Sequence, residues 1–229
     1  MPADAVPARL PSTTAEAVPR YPTQLPPPLH WRFQMRRGGR DGTADLRWSP
    51  TADSYRIDLL GWTSTGAFDI DGIAPERHTE SRRGREWRAV NFQREQGRIT
   101  FSGSQGDAPL GPGAQDRVSW MLQLAGVLAA NSGLREPGSE VSLVVAGIRG
   151  SAGVWRFTNL RAEDLDLPAG RVAAALHLRR ESEGPYDLQV DVWLDPARHF
   201  GPVRLLMQRP GVATDAPGQV ELWLASDAP

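Results

Sequence analysis

Residues 115–132, QDRVSWMLQLAGVLAANS, are the one long stretch of this 229-residue chain in which apolar side chains follow the period of an α-helix. Apolar residues recur there at steps of three and four, namely Val118, Met121, Leu122, Ala125, Leu128 and Ala129. Because other apolar residues widen this stripe towards a second face, such a helix must be largely covered by other elements. Asp116 can accept hydrogen bonds from the first turn, and Gly133 offers a permissive stop.

The segments on both sides of this stretch show the two-residue period of β-strands. Trp31, Phe33 and Met35 alternate with polar residues, a glycine-rich turn follows, and the alternation resumes at Ala44. Short strands separated by turns rich in glycine, aspartate and proline are typical of an antiparallel meander. The sequence therefore predicts a mainly β fold, in which a strongly curved antiparallel sheet of about a dozen strands, an open or half barrel, wraps around one central α-helix at about residues 115–132.

The first 28 residues are rich in proline, alanine and threonine and show neither period. Proline fixes its own φ angle and has no backbone N–H, so such a segment favours an extended, solvated chain. We interpret residues 1–28 as a disordered tail or spacer. More specific interpretations are a stalk that holds the domain away from an anchor, or a proline-rich ligand for a partner protein. Residues 29–226 are then a single half-barrel domain.

The composition argues against several classes of protein. All 26 basic residues are arginine. Because the formal net charge is -1, the electrostatic field of the whole protein does not favour the binding of nucleic acid. Without cysteine, the chain forms no disulfide and no thiolate metal site. Residues 1–9 lack the apolar core of a signal peptide, and no run approaches the roughly 20 apolar residues of a transmembrane helix. We expect no nucleic-acid partner and no transmembrane segment in this chain.

The sequence shows no residue pattern of a familiar catalytic or metal site. The four histidines are scattered without metal-ligand spacing, at His30, His78, His177 and His199. No serine lies in a nucleophile elbow, and no phosphate loop or dinucleotide fingerprint is present, so we expect no cofactor. Glu163, Asp164 and Asp166 could act as paired carboxylates, although an acidic turn is the simpler interpretation. We expect the protein not to be an enzyme.

One basic run and the tryptophans are the candidates for ligand contact. Residues 82–88, RRGREWR, combine arginine with an aromatic ring, a pairing that can bind phosphate, although a solvated hairpin turn is the alternative. The eight tryptophans mostly suit the wide gap between a sheet and a helix. A helix that covers a cavity would also present side chains to a ligand. The predicted ligand-binding residues are Trp120, Met121, Leu124, Arg83, Arg85 and Trp87, with no catalytic and no metal-binding residue.

Short motifs arranged around the helix resemble those of a family of exported bacterial domains of unknown function, number 3108 (DUF3108). These motifs are GIAPER (72–77), QDRVS (115–119), WRF (155–157), LPAG (167–170), DVWL (191–194) and PVR (202–204). The family resembles the lipoprotein-carrier half-barrels, in which a bent sheet wraps partly around a helix and leaves an apolar concavity. The resemblance implies a periplasmic or cell-envelope location, with a signal or anchor that is not present in this chain, and supplies no catalytic residues.

These observations lead to three hypotheses about function. The first is a non-enzymatic envelope protein that holds a lipid, an acylated ligand or a lipoprotein in the cradle, since burial contributes roughly 0.8 kcal/mol per methylene. The alternative is an envelope interaction or structural module, which binds a protein partner while its helix fills the sheet completely. A third is an acid–base enzyme that uses the acidic cluster. A filled core with no cavity would favour the interaction module.

Overall fold

The described part of the chain contains fourteen strands, one α-helix and three short 3-10 segments. In this computed structural model the described residues are 18–104, 106–148, 150–184, 187–211, 216 and 218–228. The elements are β1 (Leu29–Arg37), β2 (Arg40–Pro50), β3 (Ser54–Leu59), β4 (Trp62–Asp69), β5 (Gly72–Arg82), β6 (Arg85–Gln93), β7 (Arg98–Phe101), β8 (Asp107–Pro109), α1 (Ser119–Ala130), β9 (Glu140–Gly147), β10 (Ser151–Leu167), β11 (Gly170–Arg180), β12 (Gln189–Asp195), β13 (Gly201–Gln208) and β14 (Val220–Asp227). The 3-10 segments are Arg94–Gln96, Ser132–Arg135 and Pro196–Arg198.

All fourteen strands form one antiparallel sheet. Their order is β8-β7-β6-β5-β4-β3-β2-β1-β14-β13-β12-β11-β10-β9. Two meanders, β1 to β8 and β9 to β14, are therefore joined by the pairing of β1 with β14. Sequential strands joined by short turns become neighbours, which is the commonest outcome for antiparallel chains. The sheet is not closed, and the predicted curved, mainly β sheet around one helix is confirmed.

The helix α1 lies inside the curve of the sheet. Every residue from Ser119 to Leu128 is buried, because the helix packs against β5, β9 and β13. The alternating residues of β1 and β2 supply part of the same core, with Phe33 and Leu46 each no more than 2% exposed. Burial on all sides explains why the apolar stripe extends beyond one helix face.

The ends of α1 differ from the sequence prediction in detail. The helix begins at Ser119, and Asp116 Oδ1 accepts hydrogen bonds from the backbone N–H groups of Val118 and Ser119, both at 2.9 Å, as Asp116 was expected to do. It ends at Ala130, before the predicted stop at Gly133. The carbonyls of its last turn are satisfied instead by the Arg135 guanidinium, which donates to Leu128 O at 2.8 Å.

Two glutamines attach the helical segment to the sheet. Gln123 exchanges hydrogen bonds with the start of β5, accepting from Ile73 N at 2.9 Å and donating to Asp71 O at 2.6 Å. Gln115 donates from its side chain to Ile73 O at 2.8 Å, while its backbone N donates to Val144 O of β9 at 2.8 Å. Both amides are buried, so these bonds fix the depth and the orientation of α1.

Residues 18–28, which we call the N-terminal strap, lie across α1. Tyr21 and Leu25 pack against the core and Pro26 is buried. Gln24 N donates to Gly126 O of α1 at 2.9 Å. This contact differs from the solvated spacer expected for this segment, because a backbone N–H of the strap finds an acceptor on the helix. Residues 1–17 of the predicted tail lie outside the described residues, and the domain boundaries stay a prediction.

Candidate binding surface

The β5–β6 hairpin carries the arginine run at its tip. β5 ends at Arg82 and β6 begins at Arg85, so the turn contains two residues. Arg83 and Gly84 have φ angles of 53° and 75°, which places both in the left-handed region. A two-residue turn of this kind matches the twist of antiparallel strands, and glycine adopts the conformation without steric cost. The local sequence therefore places Arg83 at an exposed corner of the sheet.

Trp87 is the aromatic residue of this tip. Its side chain is 49% exposed, which is unusual for tryptophan in a folded domain. The Cζ atoms of Arg88 and Arg82 lie 4.2 Å and 5.4 Å from the ring centroid, within the range of a cation–π contact. We call Arg82, Arg83, Arg85, Trp87 and Arg88 the arginine–tryptophan tip, and part of it borders an open groove of about 650 Å³.

The tip is positively charged. Its neighbour Glu86 directs its carboxylate to Arg77 of β5, with an Nη2–Oε1 distance of 2.6 Å. Within the described part of the chain, the four tip arginines form no ion pair. On the outer face of the β1–β2 hairpin, by contrast, Arg32 and Arg36 pair with Asp45 and Asp41 at 2.9 Å and 2.8 Å. The guanidinium groups of the tip are thus available to an external anion.

The other three predicted ligand-binding residues lie in the interior. Trp120 is 1% exposed, stacks on Phe157 at a centroid distance of 4.9 Å, and donates from Nε1 to Arg117 O at 3.1 Å. Met121 and Leu124 are equally buried. The six residues therefore fall into two separate groups, one on an exposed hairpin and one in the core, and a ligand role for either group stays a prediction.

A buried polar cluster at the start of α1 was not identified from the sequence. Asp116 Oδ2 accepts from Ser64 Oγ at 2.5 Å, and Ser64 also contacts the Tyr55 hydroxyl at 2.9 Å. His78 Nδ1 lies 3.6 Å from Asp116 Oδ1. Burial, followed by the negative charge of Asp116, raises the pKa of Tyr55 well above its ordinary value. Ser64 is hydrogen-bonded to the carboxylate, whereas neither nitrogen of His78 has a hydrogen-bond partner among the described residues. All four side chains are buried, so the cluster positions the start of the helix.

The predicted acidic cluster does not form a carboxylate pair. Asp164 pairs with Arg171 at 2.6 Å, and this hydrogen bond lowers the pKa of Asp164. Glu163 instead accepts from Trp193 Nε1 at 2.5 Å. Asp166 is exposed on the same strand. Glu163 and Asp164 therefore have separate hydrogen-bond partners.

A second buried polar group lies on β10 to β12. His177 Nε2 is 2.7 Å from Asp191 Oδ1, and the imidazole stacks on Trp193 at 4.2 Å. Arg179 Nε donates to the same Asp191 oxygen at 2.7 Å. Burial opposes the charged carboxylate, but hydrogen bonds from His177, Gln189 and Arg179 outweigh it, so the pKa of Asp191 is lowered. The sequence signal for this group is Asp191, an aspartate inside the otherwise apolar run VDVWL (190–194).

No group of three or more histidine, aspartate or glutamate side chains in the described ranges is placed to hold a metal ion. No helix in those ranges is long and apolar enough to cross a membrane.

The fold and surface define a class of protein: an open, mainly β half-barrel with one internal helix and a basic aromatic hairpin tip. The chain belongs to the family described as protein of unknown function (DUF3108), whose model matches residues 30–211. A solved structure titled "Crystal structure of MucB" is similar over 90% of this chain and 54% of that chain, with 10% identity and a TM-score of 0.33. The chain thus spans about half the length of that protein. No curated protein matches it.

Proposed function

We propose that this protein is a non-enzymatic binding protein of the bacterial cell envelope, which contacts phosphate-bearing lipid headgroups through the arginine–tryptophan tip. The resemblance to a family of exported bacterial domains supports the envelope location. The observation that carries the binding role is the exposed Trp87 with its surrounding arginines. Arginine matches the geometry of phosphate with two parallel hydrogen bonds, and tryptophan prefers the interface between headgroups and acyl chains.

The interior of the half-barrel supports a surface role over an enclosed ligand. Ten consecutive residues of α1 are buried against the sheet and the strap. A small cavity beside Gln123, Tyr21 and Asp71 has a volume of about 10 Å³, which is at the lower limit for a single water molecule. An acyl chain between sheet and helix would therefore require α1 or the strap to move. A second pocket, of about 440 Å³, borders Trp155 and Arg180 but is open to solvent and does not separate the helix from the sheet. Contact at the surface is therefore favoured over the internal cradle.

The placement of the acid–base side chains supports the absence of catalysis. His78 and His177 are each at most 4% exposed, and Asp116 and Asp191 are each at most 1% exposed. General acid–base catalysis requires a side chain within hydrogen-bond reach of a substrate proton. Groups enclosed in this way have no access to a substrate, so the two polar clusters act in folding.

The test is sedimentation of the full chain with phospholipid vesicles. We expect binding to vesicles that contain phosphatidylglycerol and little binding to pure phosphatidylcholine. Each basic residue near an anionic surface contributes about 1 kcal/mol, so the double substitution Arg83→Ser and Arg85→Ser should weaken partitioning roughly thirty-fold. Trp87→Ala should weaken it further, and added salt should reduce binding of the unsubstituted chain.

The β1–β2 hairpin provides a matched control. Arg37 and Arg40 also flank a two-residue turn, Gly38-Gly39, and are exposed. The double substitution Arg37→Ser and Arg40→Ser removes the same charge and should leave most of the vesicle binding. Equal loss in both double variants, or no binding by the unsubstituted chain, would contradict a role for the tip.

A further inference from the structure

The N-terminal strap occupies a groove that recognises the backbone of an extended chain. Trp48 Nε1 donates to Pro26 O at 3.0 Å and Asn131 Nδ2 donates to Pro22 O at 3.0 Å. Between them, Gln24 N donates to Gly126 O at 2.9 Å. The three contacts involve every second strap residue, which is the spacing of an extended chain. The groove thus supplies two donors and one acceptor in a fixed order.

Proline suits this arrangement. A proline offers a carbonyl acceptor but has no N–H, so the positions that accept from Trp48 and Asn131 leave no backbone donor to satisfy. Gly126 allows the close approach, because a Cβ atom at that position would lie 2.8 Å from Leu25 Cδ2. The groove is therefore shaped for a proline-containing segment that presses an aliphatic side chain onto the helix.

Side chains along the groove add sequence preference. The Asp71 carboxylate, 9% exposed, pairs with Arg20 at 2.8 Å. The backbone N of Ser142 in β9 donates to the Tyr21 hydroxyl at 3.1 Å. Leu25 packs against the helix core. These contacts select a basic residue, an aromatic hydroxyl and an aliphatic residue in that order.

From these contacts we propose that the groove over α1 is a binding site for an extended peptide segment of a partner protein, of the pattern Arg-Tyr-Pro-x-x-Leu-Pro, and that the strap is its exchangeable occupant. The polar lining favours a peptide over a hydrocarbon chain. Trp48 is 1% exposed, so a hydrocarbon in place of Pro26 would leave its Nε1–H without an acceptor, which is unfavourable inside a protein. This site lies on other elements than the arginine–tryptophan tip and does not depend on the proposed headgroup binding.

Exchange is possible because the strap is held weakly compared with the sheet. It joins no strand of the sheet, and of its residues 18–28 Pro26 alone is buried. Segments with few buried contacts open at a lower free energy than the core. A tethered segment nevertheless competes at an effective concentration on the order of millimolar, so a free peptide should bind the unsubstituted chain weakly.

The experiment is a titration of a fluorescein-labelled peptide, with the sequence of residues 18–28, by the full chain. Fluorescence anisotropy is measured with the unsubstituted chain and with the strap variant Arg20→Ser, Tyr21→Ala and Leu25→Ala. We expect the variant to bind the peptide at least tenfold more tightly, since its own strap competes less. A peptide that carries the same three substitutions should not bind.

The following outcomes decide the proposal. Equal affinity of the two chains, or equal affinity for the two peptides, overturns it. If the triple variant does not fold, Leu25→Ala alone is titrated; at least threefold tighter binding than the unsubstituted chain supports the proposal, and no difference overturns it. A strap exchanged between copies would appear as a dimer of the unsubstituted chain in light scattering, and would overturn the assignment to a partner protein.

Discussion

Asp116 connects the start of α1 to the sheet through one side chain. Its carboxylate accepts from two backbone N–H groups before and at the start of α1 and from Ser64 of β4, and His78 of β5 lies beside it. A buried carboxylate is tolerated only where hydrogen bonds compensate for its loss of water. The residue therefore holds the helix N-terminus against two neighbouring strands.

We expect Asp116→Ala to lower the free energy of unfolding by about 2 to 4 kcal/mol. The substitution removes the acceptor of two backbone N–H groups at the start of α1, worth about 1 kcal/mol, and leaves the buried Ser64 hydroxyl with one partner fewer. Urea denaturation followed by tryptophan fluorescence measures the change. Asp53→Ala, at an exposed turn residue, is the control and should change the free energy by less than about 0.5 kcal/mol. A similar small effect at both positions would refute the role of Asp116.

At the residue scale, the sequence identified some contacts and missed others for a physical reason. The arginine run and Trp87 are adjacent along the chain, so their grouping is visible in the sequence. Asp116 and Ser64 are 52 residues apart and meet because β4 and the start of α1 are neighbours. The helix-capping role of Asp116 was predictable, since it depends on residues two and three positions away, whereas its contacts with β4 and β5 were not.

At the element scale, α1 is the centre of the core, and the period of its apolar residues was enough to predict it. The strap was not predicted to contact the domain, because its proline-rich sequence has no apolar period and much of its contact is made by backbone carbonyls. The strands of the first meander were recognisable from alternation, as Trp31 and Phe33 illustrate, both at most 6% exposed. Contacts through the backbone leave little trace in a hydrophobic pattern.

We expect Leu128→Gln to destabilise the protein by at least about 3 kcal/mol. Leu128 is fully buried in α1, so the change loses apolar burial and places an amide where no partner is available. Ala130→Gln introduces the same side chain two residues later, at an exposed position of the same helix, and serves as the control. Thermal unfolding by circular dichroism compares the two. Melting temperatures that fall equally in both variants would show that α1 does not occupy the core.

At the scale of the whole molecule, two meanders meet at the β1–β14 pair and enclose one helix, while the proposed headgroup-binding residues lie on the outside. The pairing of β1 with β14 joins the first and last strands of the domain, and Phe33 lies opposite Leu224. Pairing between such distant segments is not encoded in local patterns, so the strand order required the structure. A filled interior and a charged hairpin together favour contact at a surface over transport of an enclosed lipid.

Native mass spectrometry of the protein purified from an envelope fraction tests this central claim most directly. The sample is washed at high salt, which releases lipid held by headgroup contacts at the tip, and is measured before and after denaturation with organic extraction. A filled core predicts the mass of the chain alone and no lipid in the extract. One lipid per chain, retained through the wash and released on denaturation, would contradict the account and show that the half-barrel encloses a ligand.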